Sequence, residues 1–150
     1  MKVLADSNVL IDVLAQRHPF DRAARQFLIG CVMGDYDVWV SSSQVTDVNY
    51  VLTHGYEKND ETVRQSLTHL RKFVRVASLT EADVDDALAS KWTDFEDACV
   101  FFVARHLKAD YLVTRNKKDF AESSIPVLTP EEFLAMIQET RGFVYDEVTL

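Results

Sequence analysis

Carboxylates recur in this 150-residue chain at positions where short apolar runs end. Asp6 closes Lys2-Val-Leu-Ala5 and is followed by Ser7 and Asn8; Asp119 lies a few residues beyond Tyr111-Leu-Val-Thr114, after Arg115 and Asn116. Asp94 and Asp97 stand three apart at the head of an apolar helical segment, so they share one helix face. Asp47 follows Asp37-Val-Trp-Val40 and the triplet Ser41-Ser42-Ser43 by about one helical turn. Like charges gathered in a fold raise one another's pKa and oppose folding unless a cation lies among them. Oxygen ligands without histidine or cysteine in these segments suit a hard divalent ion, Mg²⁺ or Mn²⁺ rather than zinc. Such an ion orients a phosphate oxygen and activates water, so the chemistry to expect is hydrolysis of a phosphodiester. Ser7, Asn8, Thr114, Arg115 and Asn116 are placed to bond the phosphate or to orient the carboxylates. Lys117 and Lys118 could add contacts to a nucleic-acid backbone.

The elements that must position these groups follow from periodicity. Lys2 to Ala5, Asp37 to Val40, Val74 to Ala77, Tyr111 to Thr114 and Ile125 to Leu128 read as strands. Phe20 to Val32, Gln44 to His54 and Asp60 to Phe73 read as helices, the last with Val63, Leu67, Leu70 and Val74 on one face. Thr80 caps a helix over Glu81 to Ser90, and Thr129-Pro130-Glu131-Glu132 opens one that ends near Gln138 to Thr140. Strands alternating with crossover helices predict an α/β fold, a three-layer α/β/α sandwich around a mostly parallel sheet of about five strands. Ligands collect at the carboxyl ends of such strands, which is where the aspartates fall.

Each carboxylate also has a plainer explanation. Asp6 could cap a helix starting at Ser7 or Asn8, Asp94 with Asp97 could be a capping pair, Asp119 could close a turn, and Asp47 could lie at a solvated edge. The plainer explanation must be invoked four separate times at one rim. Asp12, Glu96 and the run Asp83, Asp85, Asp86 are assigned to solvated helix faces or to support behind the cluster.

Three segments in order, Asp6 through Asp12, Asp94 through Ala98 and Thr114 through Phe120, resemble the PIN-domain ribonucleases, including the VapC-type toxins of toxin–antitoxin pairs. The resemblance spans nearly the whole chain. It implies a PIN-like sandwich, an acidic metal site and metal-dependent endonucleolytic cleavage of RNA. Asp6 matches the first acidic position, Asp97 the third and Asp119 the fourth, and Asp94 matches an additional acidic residue that many members carry nearby; Asp6, Asp94, Asp97 and Asp119 are the expected metal ligands. The family's second position is usually a glutamate; here Asp47 is the substitute, one methylene shorter, and the Gln44 amide could contribute a neutral oxygen instead. The expected partners are an RNA substrate, a cognate antitoxin protein and a second copy of the chain in a homodimer. Two further functions stay open: a non-catalytic binding protein of the same fold, supported by the missing glutamate, and a receiver-like module that binds Mg²⁺ and accepts phosphate on an aspartate.

Composition bounds these expectations. With 47% apolar and 27% charged residues, four glycines and three prolines, the chain predicts one domain over residues 1–140 and a tail over 141–150. The tail has alternating apolar residues and reads as a strand or arm packing on the domain or on a partner. No apolar run reaches the roughly 18–20 residues of a membrane helix, and Asp6 comes too early for a secretory signal. Cys31 and Cys99, isolated in apolar helical contexts, read as buried thiols, and together these features predict a cytoplasmic protein without membrane contact. His18, His54, His69 and His106 are dispersed, so neither a histidine metal site nor a Ser-His-Asp triad is supported. A formal charge of −8 argues against binding nucleic acid through a broad basic surface, leaving any such contact local.

Overall fold

A computed structural model describes residues 1–146. Five parallel strands, β1 (Lys2–Ala5), β2 (Asp37–Ser41), β3 (Arg75–Ala77), β4 (Tyr111–Val113) and β5 (Val127–Leu128), form one sheet in the order β3-β2-β1-β4-β5. β1 is central, and its Val3, Leu4 and Ala5 are fully buried, as expected of a parallel strand covered on both faces. Strand order reverses at the β1/β4 boundary. That boundary is the crevice in which open α/β sheets collect ligands.

Among the described residues, seven α-helices cover the sheet: α1 (Ser7–Leu14), α2 (Asp21–Val32), α3 (Ser42–Tyr50), α4 (Asp60–Leu70), α5 (Glu81–Ala89), α6 (Phe95–Leu107) and α7 (Pro130–Arg141). Side chains alternate across a strand, so Val3 and Ala5 join one core with Val9 of α1, Phe27 and Leu28 of α2, Val48 of α3 and Phe133 and Ile137 of α7. Leu4 points the other way, to Val100, Val103 and Ala104 of α6 and to Leu112 and Phe120. This is the expected three-layer sandwich.

Within the domain, the elements differ from the sequence reading mainly at their ends. α3 begins at Ser42 because Ser41 caps it: the Ser41 hydroxyl accepts from the Ser43 amide, and Gln44 Oε1 accepts from the Ser41 amide at 2.7 Å. Beyond Tyr50 the helix widens into a π-turn over Val51–Gly55. α4 stops at Leu70, and the chain turns through Arg71 to Phe73 so that the Phe73 carbonyl meets the Cys31 thiol. Both cysteines are free and buried.

α7 ends on Gly142, whose left-handed φ of 72° suits glycine at a helix terminus. Among the described residues, those from 143 to 146 form no strand, and Tyr145 ties them back to the domain. Gln26 donates to the Tyr145 carbonyl and the Tyr145 hydroxyl donates to Asp35, both at 2.8 Å. Whether the tail continues onto a partner concerns residues 147–150, which lie outside the described residues. Among the described residues, no helix is long and apolar enough to cross a membrane.

Candidate active site

The rim of the β1/β4 crevice is built from main-chain consequences of the two strands. Asp6 leaves β1 with extended φ/ψ and caps α1, its Oδ1 accepting from the Ser7 amide at 2.8 Å. Its other oxygen accepts from the Thr114 hydroxyl at 2.8 Å, and Thr114 is fully buried just past β4. The capping explanation for Asp6 therefore holds, and it aims the carboxylate at the switch point instead of excluding it from chemistry. Asn8 closes the same seam: its amide donates to Thr114 Oγ1 and its carbonyl accepts from the Arg115 amide, both at 3.3 Å. The Asn116 amide donates back to Thr114 Oγ1 at 3.1 Å.

From the other layer, Asp94 caps α6 by accepting from the Asp97 amide at 2.9 Å. Asp97, one turn in, faces the rim. Its carboxyl is pushed up to about 7 by burial first, then by the charges of Asp94, Asp6, Asp119 and Glu96. Asp6 is also raised, mainly by burial, with Asp119 adding to the effect and the Thr114 and Ser7 bonds and Arg115 opposing it. Asp119 sits exposed in a 3-10 turn over Lys117–Phe120. Its field reaches both Asp6 and Asp97. The structure thus brings Asp6, Asp94, Asp97 and Asp119 to one rim.

Asp47 is not isolated at a solvated edge. The Glu96 carboxyl meets it, and Glu96 is raised by desolvation, by the Asp47 charge and by a hydrogen bond to Asp47, with Asp94 and Asp6 contributing. Glu96 is exposed on the first turn of α6 and, of the two roles open to it, takes the one in support of the cluster. Its position beside Asp97 on the first turn of α6 was the available signal, but only the packing of α3 near that turn reveals it.

Other side chains of these segments find their partners away from the rim. The Gln44 amide offers no free oxygen to the rim, because Oε1 is held by the Ser41 amide and Nε2 donates to the Ala5 carbonyl at 2.9 Å and to Ser7 Oγ at 3.3 Å. Gln44 instead rivets α3 to the end of β1. Arg115 does not extend its guanidinium to the rim. Nε and Nη2 make a bidentate pair with Asp12 at 2.8 and 3.2 Å, and the group stacks 4.3 Å from the Phe20 ring centroid. Asp12 is correspondingly buried and, of the two roles open to it, takes the one in support of the cluster. Lys117 is engaged with Glu132 at 3.0 Å, and Asp83 is buried in the cap of α5 with His106 on its carboxylate.

Among the described residues, no three carboxylate, histidine or cysteine side chains stand close enough to enclose an ion without adjustment. The donor set is nevertheless all oxygen, anionic and mutually repelling, which fits a hard divalent cation. Without one, the repulsion costs stability. Asp97 titrates far above its ordinary 3.8, so its ionisation opposes folding as pH rises from about 4 through about 7. In metal-free protein at pH 8, Asp97→Asn is therefore expected to raise unfolding stability by on the order of 2–3 kcal/mol. The gain should fade as pH falls and vanish near pH 4, measured by urea denaturation across pH. A gain independent of pH would refute the electrostatic origin.

Comparison with known proteins agrees with this architecture. The chain is 27% identical over 140 residues to Ribonuclease VapC1 of Aquifex aeolicus (strain VF5), covering 88% of this chain and 92% of that protein. A toxin–antitoxin complex from Klebsiella pneumoniae contains a chain 25% identical, with a TM-score of 0.60 and coverage of 85% of this chain and 97% of that one. VapBC2 from Rickettsia felis, bound to a DNA fragment from its promoter, shares the fold with a TM-score of 0.66 at 15% identity, again over 85% and 97% of the two chains. The match to the PIN domain runs over residues 2–118, from the first strand through Asp6 and the α6 carboxylates to Lys118, one residue before Asp119. A match over that much of its length shows that the chain belongs to the PIN-domain family.

Proposed function

We propose that this protein is an endoribonuclease that hydrolyses RNA phosphodiester bonds with the help of Mg²⁺ or Mn²⁺, and that it is the toxin of a type II toxin–antitoxin pair. The observation that carries the reading is the convergence of Asp6, Asp97 and Asp119 on the β1/β4 switch point, where burial first and then the neighbouring carboxylates push the Asp97 carboxyl up to about 7. Membership of the PIN family, the ribonuclease relative and the toxin–antitoxin neighbours support it. They also support a cognate antitoxin as partner. A homodimer remains part of the proposal.

Asp6, Asp97 and Asp119, with Asp94 at the margin, would hold the ion, and Asp47 takes part from α3 with Glu96 beside it. When bound, the ion supplies Lewis acidity towards a phosphate oxygen and eases deprotonation of water. The chain's own contribution is pre-organisation. Thr114 donates to Asp6 and accepts from Asn116, so the carboxylate is held by a hydroxyl that cannot rotate freely. Ser7, Asn8 and Asn116 surround that bond and are assigned to phosphate contact, whereas Arg115 is assigned to support through Asp12.

Mixed RNA incubated with the purified protein and Mg²⁺ or Mn²⁺ is expected to be cut internally, and EDTA should abolish cutting. No cleavage with either ion would favour the non-catalytic binding protein. Cleavage undiminished in EDTA would remove the metal from the proposal.

A further inference from the structure

The turn between α1 and α2 presents charge opposite to that of the chain as a whole. Its two nearby carboxylates, Asp12 and Asp21, are 2% and 1% exposed, while their cationic or basic partners stand outside them. Arg17 lies 3.4 Å from Asp12 with its side chain 36% exposed, and His18 lies 2.8 Å from Asp21 with its side chain 81% exposed. Arg22, at the start of α2, is exposed too. In a protein of formal charge −8, this segment shows solvent its basic groups and hides its acids.

An aromatic ring stands in the middle of them. Phe20 is 37% exposed and is backed by the Arg115 guanidinium, which Asp12 fixes with two bonds. A ring supported by an immobilised cation is a rigid, partly open platform. It is also continuous with the acidic rim, since Arg115 follows Thr114, whose hydroxyl holds Asp6, and Asn8 ties the Arg115 amide to α1. Asp12 lies six residues beyond Asp6 on α1, roughly 9 Å along the axis at about 1.5 Å per residue. One extended strand can engage both places.

We propose that Phe20, flanked by Arg17 and His18, is a subsite for single-stranded RNA next to the scissile phosphate, the ring stacking on one base and the two basic side chains meeting the backbone. The inference rests on the ribonuclease reading and assigns where the substrate's flank lies. Stacking on an aromatic face requires an unpaired base, so the subsite selects single strands over duplexes and tolerates any base. It also answers the charge problem. A net acidic protein holds an anionic substrate through a short basic edge beside its metal site, not through its whole surface.

The test uses a short fluorescent single-stranded oligoribonucleotide and the duplex of the same sequence. Cleavage with Mg²⁺ gives kcat and KM, and fluorescence anisotropy on the Asp97→Asn background gives Kd. Phe20→Ala is expected to raise KM and Kd for the single strand about tenfold with kcat within about twofold of the parent. Phe20→Trp should restore both, and the duplex should show no difference. Arg17→Gln should lower the salt dependence of binding by about one counterion. Phe143→Ala, which removes an exposed ring beside α2 and α7, is the control and should change nothing.

Unchanged KM and Kd in a folded Phe20→Ala protein that still cleaves RNA would overturn the subsite and leave the nuclease reading standing. Unchanged RNA affinity with a shift to a smaller species in sedimentation would assign the ring to a protein contact and likewise overturn it. Parent protein that neither binds nor cleaves RNA would overturn the nuclease reading, and the subsite with it.

Discussion

Asp97→Asn is expected to lower metal-dependent RNA cleavage at least about 100-fold, because a carboxylate ligand supports several kcal/mol of charge stabilisation. The same substitution should leave the fold intact. Asp97 sits in the first turn of α6, and the amide that it presents to the Asp94 cap is a main-chain group that asparagine retains. The isosteric side chain fills the same volume and removes only a charge. Loss of activity would therefore accompany unchanged circular dichroism and, in metal-free protein at pH 8, raised stability. This opposition of activity and stability is the signature of a residue kept for chemistry at the expense of folding. Asn at this position that cleaves as well as the parent would exclude Asp97 from the site, whatever the electrostatics of the cluster.

The second large effect is expected on stability. Asp12→Asn should cost about 2–4 kcal/mol in urea denaturation, since truncating one partner of a buried ion pair leaves the other uncompensated. Asp12 bonds Arg115 twice and lies 3.4 Å from Arg17, and its side chain is only 3% exposed. The two guanidiniums keep partial access to water, at 22% and 36% exposure, which places the cost below that of a fully enclosed pair. Activity should fall as well. Arg115 joins the end of β4 to α1, and freeing it loosens the seam through which Asn8 and Thr114 hold Asp6. A double variant, Asp12→Asn with Arg115→Met, should be less destabilised than the sum of the two single variants. Strict additivity would show that the pair is not coupled.

The fold was largely legible because its signals are local. Apolar runs bounded by helical periodicity mark each strand, and Thr80, Asp94 and Thr129 each announce a helix through a side chain that reaches only three residues along the chain. The aspartates could be placed on one rim for the same reason. In a parallel sheet, every strand end lies on the same side, so a residue's position after its strand fixes its edge without knowledge of strand order.

Contacts between segments were not legible, and these assign the roles. Arg115 next to Thr114 reads as a phosphate ligand until the approach of α1 offers it Asp12, 103 residues away. Glu96 reads equally as a solvated acid or as support behind the cluster until Asp47 of α3 is found beside it. Gln44 reads as a spare metal ligand until its own capping box and the Ala5 carbonyl, 39 residues away, occupy both ends of its amide. Each depends on which helix packs over which strand end, and a guanidinium or carboxyl takes the partner that neutralises it most completely out of water. Residue order alone thus dictates an acidic rim on a parallel α/β sheet. The packing of α1, α3 and α6 around that rim separates the carboxylates left in mutual repulsion, and so available to a cation, from those neutralised to hold the frame and expose a basic edge beside it.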